Sequence, residues 1–346
     1  MIIAELILIL IAVFILPFLV KKIEEELEIF LFLMGVLAVT VTKQWSFHII
    51  EEALIEPIKI TLAVLIAGLL FNRFQNLIAK KVKSILDFLG LKLFLFTFVV
   101  LLGLLSSIIT AIIAALILVE VISHINLDRK TEIKIVVFSC FSIGFGAALT
   151  PIGEPLSTIA ISKLKGEPYN AGFFFLLNNL WYFIIPAIIA ISLILIFIVK
   201  EGSRQVHGLK EEKKENMKNI FIRTGKVYLF VMALVFLGHG FKILIDMYIS
   251  KIPFLVLYWI NIISAVLDNA TLVAAEISPV MKINQIKGAL LGLIISGGML
   301  IPGNIPNIIA ASKLKIKSKE WAKIGVPLGF IFLVVYFIIL FLFERS

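Results

Sequence analysis

The run Gly153-Glu154-Pro155-Leu156-Ser157-Thr158-Ile159-Ala160-Ile161-Ser162-Lys163-Leu164-Lys165 has a counterpart 150 positions later. That counterpart reads Gly303-Asn304-Ile305-Pro306-Asn307-Ile308-Ile309-Ala310-Ala311-Ser312-Lys313-Leu314-Lys315, and seven of the thirteen positions are identical. Each run closes an interruption rich in helix breakers. The first contains Gly144-Phe145-Gly146 and Thr150-Pro151-Ile152, and the second Ser296-Gly297-Gly298 and Ile301-Pro302. Prolines and glycines at this density cannot continue a regular helix. The chain therefore contains two broken helices of one design.

The rest of the composition places those breaks in a membrane. Of 346 residues, 61% are hydrophobic and only 16% charged, with a mean hydropathy of +1.10. Long apolar stretches of this kind mark a polytopic membrane protein. Irregular backbone at membrane depth survives only when it is buried in protein or lines a polar cavity. The first apolar run, 2–20, lacks a basic start and a small-residue cleavage site, so it reads as a retained span. One cysteine, Cys140, excludes an internal disulfide framework, a cysteine-based zinc cluster and an iron–sulfur site. The four histidines have no metal-ligand spacing, and no nucleophile–base pair stands out. Neither an enzyme nor a bound cofactor is expected.

Residues 1–56 hold two spans, 2–20 and 27–42, and a short surface segment, 47–56. The first repeat, 57–199, has a span over 57–71 and then a basic amphipathic surface stretch, 72–90. An apolar segment (91–123), a broken helix (133–162) and a span over 172–199 complete it. Asn178 and Asn179 in that last span read as interhelical hydrogen-bonding groups. Residues 200–226 form a lysine-rich polar loop. The second repeat, 227–346, has a span over 227–249 and an apolar segment, 252–281. After a loop at 282–287 come a broken helix, 288–312, and a last helix, 321–343. Lys242 and Asp246 read as a mutually neutralising pair.

Segment 91–123 is too long for one comfortable crossing and is interrupted by Gly103, Ser106, Ser107 and Thr110. A shift of 158 sets Ser106 against Ser264 and Thr110 against Asp268, so the polar-tipped segment also occurs twice. Charge decides between a long helix and a re-entrant hairpin. If both segments return to their starting side, one face of the membrane receives 21–22, 73–92, 129–134, 200–226 and 313–323, with 23 of the 32 Lys and Arg. By the positive-inside rule that face is cytoplasmic and the N-terminus lies outside. The +9 net charge is then explained by topology, and no nucleic-acid partner is required. One hairpin enters from the cytoplasm and the other from outside, which makes the halves inverted. The expected fold is an all-α membrane protein, an inverted-repeat secondary transporter with two re-entrant hairpins and two broken helices.

Asp268 is a carboxylate within an apolar segment, and such a residue is costly at membrane depth and functional by default. Where the second hairpin has Asp268 the first has Thr110, and where the first broken helix has Glu154 the second has Asn304. Each half thus brings one carboxylate and one neutral oxygen. Oxygen ligands suit a hard cation, with Asp268 and Glu154 as sodium ligands. Two acids sharing a desolvated site raise each other's proton affinity, which allows exchange of a cation for protons. The candidate ion- and proton-binding residues are Asp268, Asn269, Glu154, Thr110, Ser106, Ser264, Thr150, Asn304 and Asn307. Glu154 also reads as a cap for the restarting helix. His239 reads as a proton relay or as a packed, hydrogen-bonded histidine.

Ser264-Ala265-Val266-Leu267-Asp268-Asn269-Ala270-Thr271 and Pro302-Gly303-Asn304-Ile305-Pro306-Asn307, with Thr150-Pro151-Ile152-Gly153, resemble the signature segments of the ion transporter superfamily. That group includes sodium/proton antiporters, arsenite permeases and sodium-coupled dicarboxylate and citrate carriers. The resemblance covers about 91–312 and is closest to the antiporter and arsenite-permease branch. A short prokaryotic branch of cation transporters also fits. The resemblance implies a homodimer in the inner (cytoplasmic) membrane, with a scaffold domain and a moving transport domain. It implies small inorganic ions, sodium and protons, as what is carried. The expected activity is sodium/proton antiport, and the runner-up is sodium-coupled symport of a small anion such as a dicarboxylate. A channel or a non-transporting membrane scaffold comes after these.

Overall fold

A computed structural model describes residues 2–20, 22–23, 26–125, 127–199, 217–248, 253–267 and 269–344. Among them every element is a helix, with no β-strand. In order come α1 (Ile2–Leu19), α2 (Leu27–Val41), α3 (Phe47–Ile109), α4 (Ala111–Ser123), α5 (Arg129–Ala147), α6 (Pro155–Lys163) and α7 (Phe175–Ile198). The second part of the chain gives α8 (Met217–Tyr248), α9 (Phe254–Ile260), a 3-10 turn (Asn261–Ala265), α10 (Asn269–Glu276) and α11 (Ile283–Gly297). A second 3-10 turn (Ile301–Gly303), α12 (Ile305–Leu314) and α13 (Ser318–Glu344) complete it.

Five of these helices contain stretches long and apolar enough to cross a membrane: Ile2–Leu19, Ser84–Ile109, Phe175–Ile198, Ile220–Leu244 and Ser318–Leu340. Their outer faces are apolar too, with Leu8, Phe88, Phe197, Ile331 and Leu342 each more than half exposed. A surface of this kind suits lipid and would be a liability in water. The chain is an all-α membrane protein.

Three expected boundaries move. Residues 47–89 are one continuous helix rather than a surface segment, a span and an amphipathic stretch. At 1.5 Å per residue this helix runs about 64 Å, roughly twice the hydrocarbon thickness, so it extends well beyond one crossing. It ends at Gly90, where φ is 72°, and the chain resumes as helix over 91–109. Apolar residues are frequent enough through 47–89, and breakers few enough, that nothing local stops the helix. The polar loop also ends earlier than expected, because α8 begins at Met217, while 200–216 lie outside the described residues. The loop expected at 282–287 is already the first turn of α11, where the Lys282 backbone N–H donates to Gln285 Oε1 at 2.8 Å.

Two smaller expectations change as well. Asn179 donates to Phe175 O at 2.8 Å within its own helix, and Asn178 is exposed, so the pair does not stitch α7 to a neighbour. Lys242 is exposed, and the side chain of Asp246 falls outside the described residues.

Packing separates a flank from a centre. On the flank, α2, the 47–89 part of α3 and α8 lie together, around Val39, Ile49, Ala53, Met232, Val235 and Phe236. Helices in lipid gain little from hydrophobic burial and associate through small residues that let backbones approach. Gly35 and Gly240 do this between α2 and α8. A Cβ on Gly240 would lie 2.4 Å from Ala38 Cβ and 2.9 Å from Ala38 C. In the centre, Phe141 of α5 stacks on Phe332 of α13 and Phe145 meets the same ring edge-on. The polar ends of buried aromatics there are satisfied: Trp321 Nε1 donates to Gly298 O at 3.1 Å and Tyr258 to Leu333 O at 2.8 Å.

Gly240→Ala should therefore force α2 and α8 apart and cost on the order of 1–3 kcal/mol. Gly225→Ala, on the same helix with nothing near its Cβ, should be neutral or stabilising by about 0.5–1 kcal/mol. Thermal unfolding of the purified variants checks both.

Candidate functional site

The two interruptions are built alike in their principal contacts. In the first, α5 ends at Ala147 and α6 restarts at Pro155; in the second, α11 ends at Gly297 and α12 restarts at Ile305. The residues before the restarts, Glu154 and Asn304, have nearly the same extended backbone, φ −157°, ψ 161° and φ −153°, ψ 146°. Gly153 packs so closely on Ala147 O that a Cβ there would lie 2.0 Å away, and Gly303 sits on Gly297 O with a corresponding 2.5 Å. Both orphaned helix-end carbonyls receive a side-chain donor from the restarting helix. Ser157 Oγ donates to Ala147 O at 3.3 Å, and Asn307 Nδ2 donates to Gly297 O at 2.8 Å. Asn307 also donates to Leu300 O at 2.8 Å.

The polar-tipped segments join these breaks in the same manner. Ser106 Oγ donates to Ile143 O at 2.9 Å, and Ser264 Oγ donates to Leu293 O at 3.2 Å. Residues 143 and 293 differ by the 150 of the broken helices, and 106 and 264 by the 158 of the tips. Ser264 Oγ also bonds Asn269 Oδ1. In the first half, Ala111 N donates to Gly153 O at 2.9 Å and Thr150 Oγ1 donates to Ser107 O. In the second, the backbone carbonyls of Ser264 and Ala265 would stand 2.9 Å from a Cβ on Gly303.

The helices that restart after the breaks change partners. Within each half, the arm before the tip packs on the helix before the break: α3 on α5, and α9 with its 3-10 turn on α11. Beyond the interruptions the pairing crosses over, with α4 of the first half on α12 of the second and α6 of the first on α10 of the second. Asn304 accordingly reaches the first half, where its Nδ2 would be 3.0 Å from a Cβ on Gly144.

Ser106, Ser264, Thr150, Glu154, Asn269 and Asn307 are buried, while Thr110 and Asn304 are half-buried. Asp268, the residue from which the site was inferred, lies outside the described residues, between buried Leu267 and Asn269. Glu154 stands at the first position before α6 and makes no side-chain capping hydrogen bond to that helix's first turn. Thr110 does act as a cap, accepting from Ile113 N at 3.4 Å, and it does so with φ 77° and ψ 150°. That region belongs almost entirely to glycine, and a β-branched residue there stores about 1–3 kcal/mol.

Buried Asn269 Nδ2, Asn307 Oδ1 and Ser296 Oγ have no hydrogen-bond partner among the described residues. Ser296 precedes Gly297, and a Cβ on Gly297 would stand 2.6 Å from Asn269 Nδ2. Ser296 was legible only as part of a helix break, not as a site residue. Two more polar groups escaped notice, Asn261 and Glu276, which pair at 3.0 Å within the second segment. His239 is removed from the tips' hydrogen bonds, with Nε2 2.7 Å from Glu52 Oε2 between α8 and α3.

Among the described residues the site offers hydroxyl, amide and backbone oxygens and the Glu154 carboxylate. No group of three or more His, Cys, Asp or Glu capable of holding a metal occurs among the described residues. Helix C-termini at 147 and 297 contribute negative dipole ends, which suit a hard cation, while restarting N-termini favour the acid at 154.

Across residues 3–343 the chain matches the family model described as a protein of unknown function, DUF1646, and belongs to that family. No curated protein matches it.

Replacing Thr110 by Gly removes the φ strain at a loss of only a few tenths of a kcal/mol in capping, so it should stabilise the protein by about 1–2 kcal/mol. Thermal unfolding measures this; an unchanged or lower midpoint would mean that the Thr110 backbone carries no strain.

Proposed function

We propose that this DUF1646 protein is a secondary active ion transporter of the inner membrane that exchanges sodium for protons. The observation that carries the reading is the exchange of partners between halves, α4 with α12 and α6 with α10. Two helix breaks with matching hydrogen bonds come together through that pairing, and paired breaks are how transporters build an ion site in lipid. In this reading the halves are inverted repeats, 91–123 and 252–281 are re-entrant hairpins, and the N-terminus lies outside. The asymmetry of 23 of 32 Lys and Arg supports that orientation. The flank of α2, 47–89 and α8 serves as the scaffold of a homodimer, and the centre carries the ion.

Sodium is held by Asp268 and Glu154, with Thr110, Ser106, Ser264, Thr150, Asn269, Asn304 and Asn307 shaping the cage and supplying neutral oxygens. Protonation of the two acids releases it. Sodium-coupled symport of a small anion is favoured by one separate feature. Four helices, α4, α6, α10 and α12, start at the tips and breaks, and helix N-termini present free N–H groups to an anion.

Proteoliposomes separate the two. Under antiport, added sodium collapses a preformed pH gradient with no anion substrate present. Asp268→Asn should reduce this exchange to background while the protein still inserts and purifies, and Glu154→Gln should raise the sodium concentration needed for half-maximal exchange. Sodium flux that appears only with a dicarboxylate present would replace antiport by symport. Full exchange by Asp268→Asn would remove that residue from the site.

A further inference from the structure

Within the second segment, away from the tips, Asn261 and Glu276 form a buried polar pair, 1% and 6% exposed. Asn261 Nδ2 donates to Glu276 Oε2 at 3.0 Å and to Ala289 O at 3.2 Å. The Ala289 carbonyl can only accept, so it fixes which end of the amide faces α11. Close packing holds the side chain in place, since a Cβ on Gly292 would lie 3.3 Å from Asn261 Cβ. Two oxygens are left over: Asn261 Oδ1 and Glu276 Oε1 are buried and have no hydrogen-bond partner among the described residues.

An ionised Glu276 would leave both oxygens as acceptors without donors, and would bury a charge whose one polar neighbour is a neutral amide. Burying an unpaired charge, or leaving buried acceptors unsatisfied, costs several kcal/mol. One proton on Oε1 removes the charge and turns that atom into a donor. The acid and the amide can then close a ring of two hydrogen bonds, with Nδ2–H to Oε2 and Oε1–H to Oδ1.

Among the described residues no charged side chain is bonded to Glu276. Of the helices against α10, α6 carries Lys163, which is exposed; α11 carries Lys287, which lies over the Tyr182 ring at 5.5 Å. On α8, His239 faces Glu52, Lys226 binds Glu26 and Glu28, and Lys242 is exposed. Lys218, also on α8, is exposed, and the side chains of Arg223 and Asp246, like Asp268, lie outside the described residues. Glu154 precedes α6 and carries the sign that would favour a neutral Glu276.

We infer that Glu276, held against Asn261, is a proton-binding site distinct from the tips and carries a further proton in the exchange, beside those on Asp268 and Glu154. Seven residues of α10 separate it from Asn269, about 10 Å along the helix axis. A proton there can respond to an ion at the tips without sharing its ligands. The transport role rests on the antiport reading above; the protonation of Glu276 does not.

The test uses the full-length protein in lipid vesicles. Infrared spectra of the wild type at neutral pH should contain the carbonyl stretch of a protonated carboxylic acid that Glu276→Gln lacks. Asn261→Leu, which keeps the acid and removes its partner, should shift that band toward an unbonded acid, and it serves where Glu276→Gln fails to insert. Absence of the band from the wild type, or its persistence unchanged in both variants, would overturn the proposal. In flux assays Glu276→Gln should exchange fewer protons per sodium than the wild type and keep sodium/sodium exchange; an unchanged proton-to-sodium ratio would overturn the carrier role. A wild type with the band but no exchange would contradict antiport and leave the proton site standing.

Discussion

A helix that breaks at membrane depth exposes backbone carbonyls and amides that lipid cannot satisfy, and the centre of this protein is a solution to that constraint used twice. At Ala147 and Gly297 the terminal carbonyl takes a side-chain donor from the helix that restarts, Ser157 in one half and Asn307 in the other. A glycine just before the restart, Gly153 or Gly303, lets backbone fold onto the same carbonyl where a Cβ would clash. A serine from the neighbouring tip then satisfies a carbonyl one turn earlier, Ile143 or Leu293. Each break is thus sealed by its own chain and by its own tip.

Sealing the breaks locally frees the helices beyond them to pair across the halves, and that pairing gives the centre its chemistry. Polar atoms from both halves collect where helix ends of both senses meet. Most of them are consumed in holding the backbone. Those left over around the second break, Asn269 Nδ2, Asn307 Oδ1 and Ser296 Oγ, are what a hydrated or ionic guest would engage. The strained Thr110 stands at the equivalent tip of the first half, and strain of this kind persists only where the surroundings over-determine the backbone.

Much of this was legible in the sequence because helix breakers act locally. Gly153, Pro155, Gly303 and Pro306 announce the breaks wherever the rest of the chain goes, and spacings of 150 and 158 register the two halves. Ser106 and Ser264 were recognisable as tip residues for the same reason. What stayed hidden depends on partners far away in sequence. Nothing local stops the helix over 47–89, but that it runs on as one element is visible only in its packing on α8 and α4. Asn179 looked interhelical by composition but found a carbonyl in its own turn. Glu276 lies inside the apolar segment 252–281 but was passed over beside Asp268, and only the approach of Asn261 shows that it is buried and paired.

Sodium binding to the purified protein tests the central claim, that the joined tips and breaks form a cation site competed by protons. Isothermal titration calorimetry at two pH values reads it without any gradient. The account predicts saturable binding whose Kd rises as pH falls, by up to about tenfold per pH unit for each proton displaced. The Asp268→Asn variant should show no saturable binding. Binding independent of pH, or none at all in the intact protein, would contradict it.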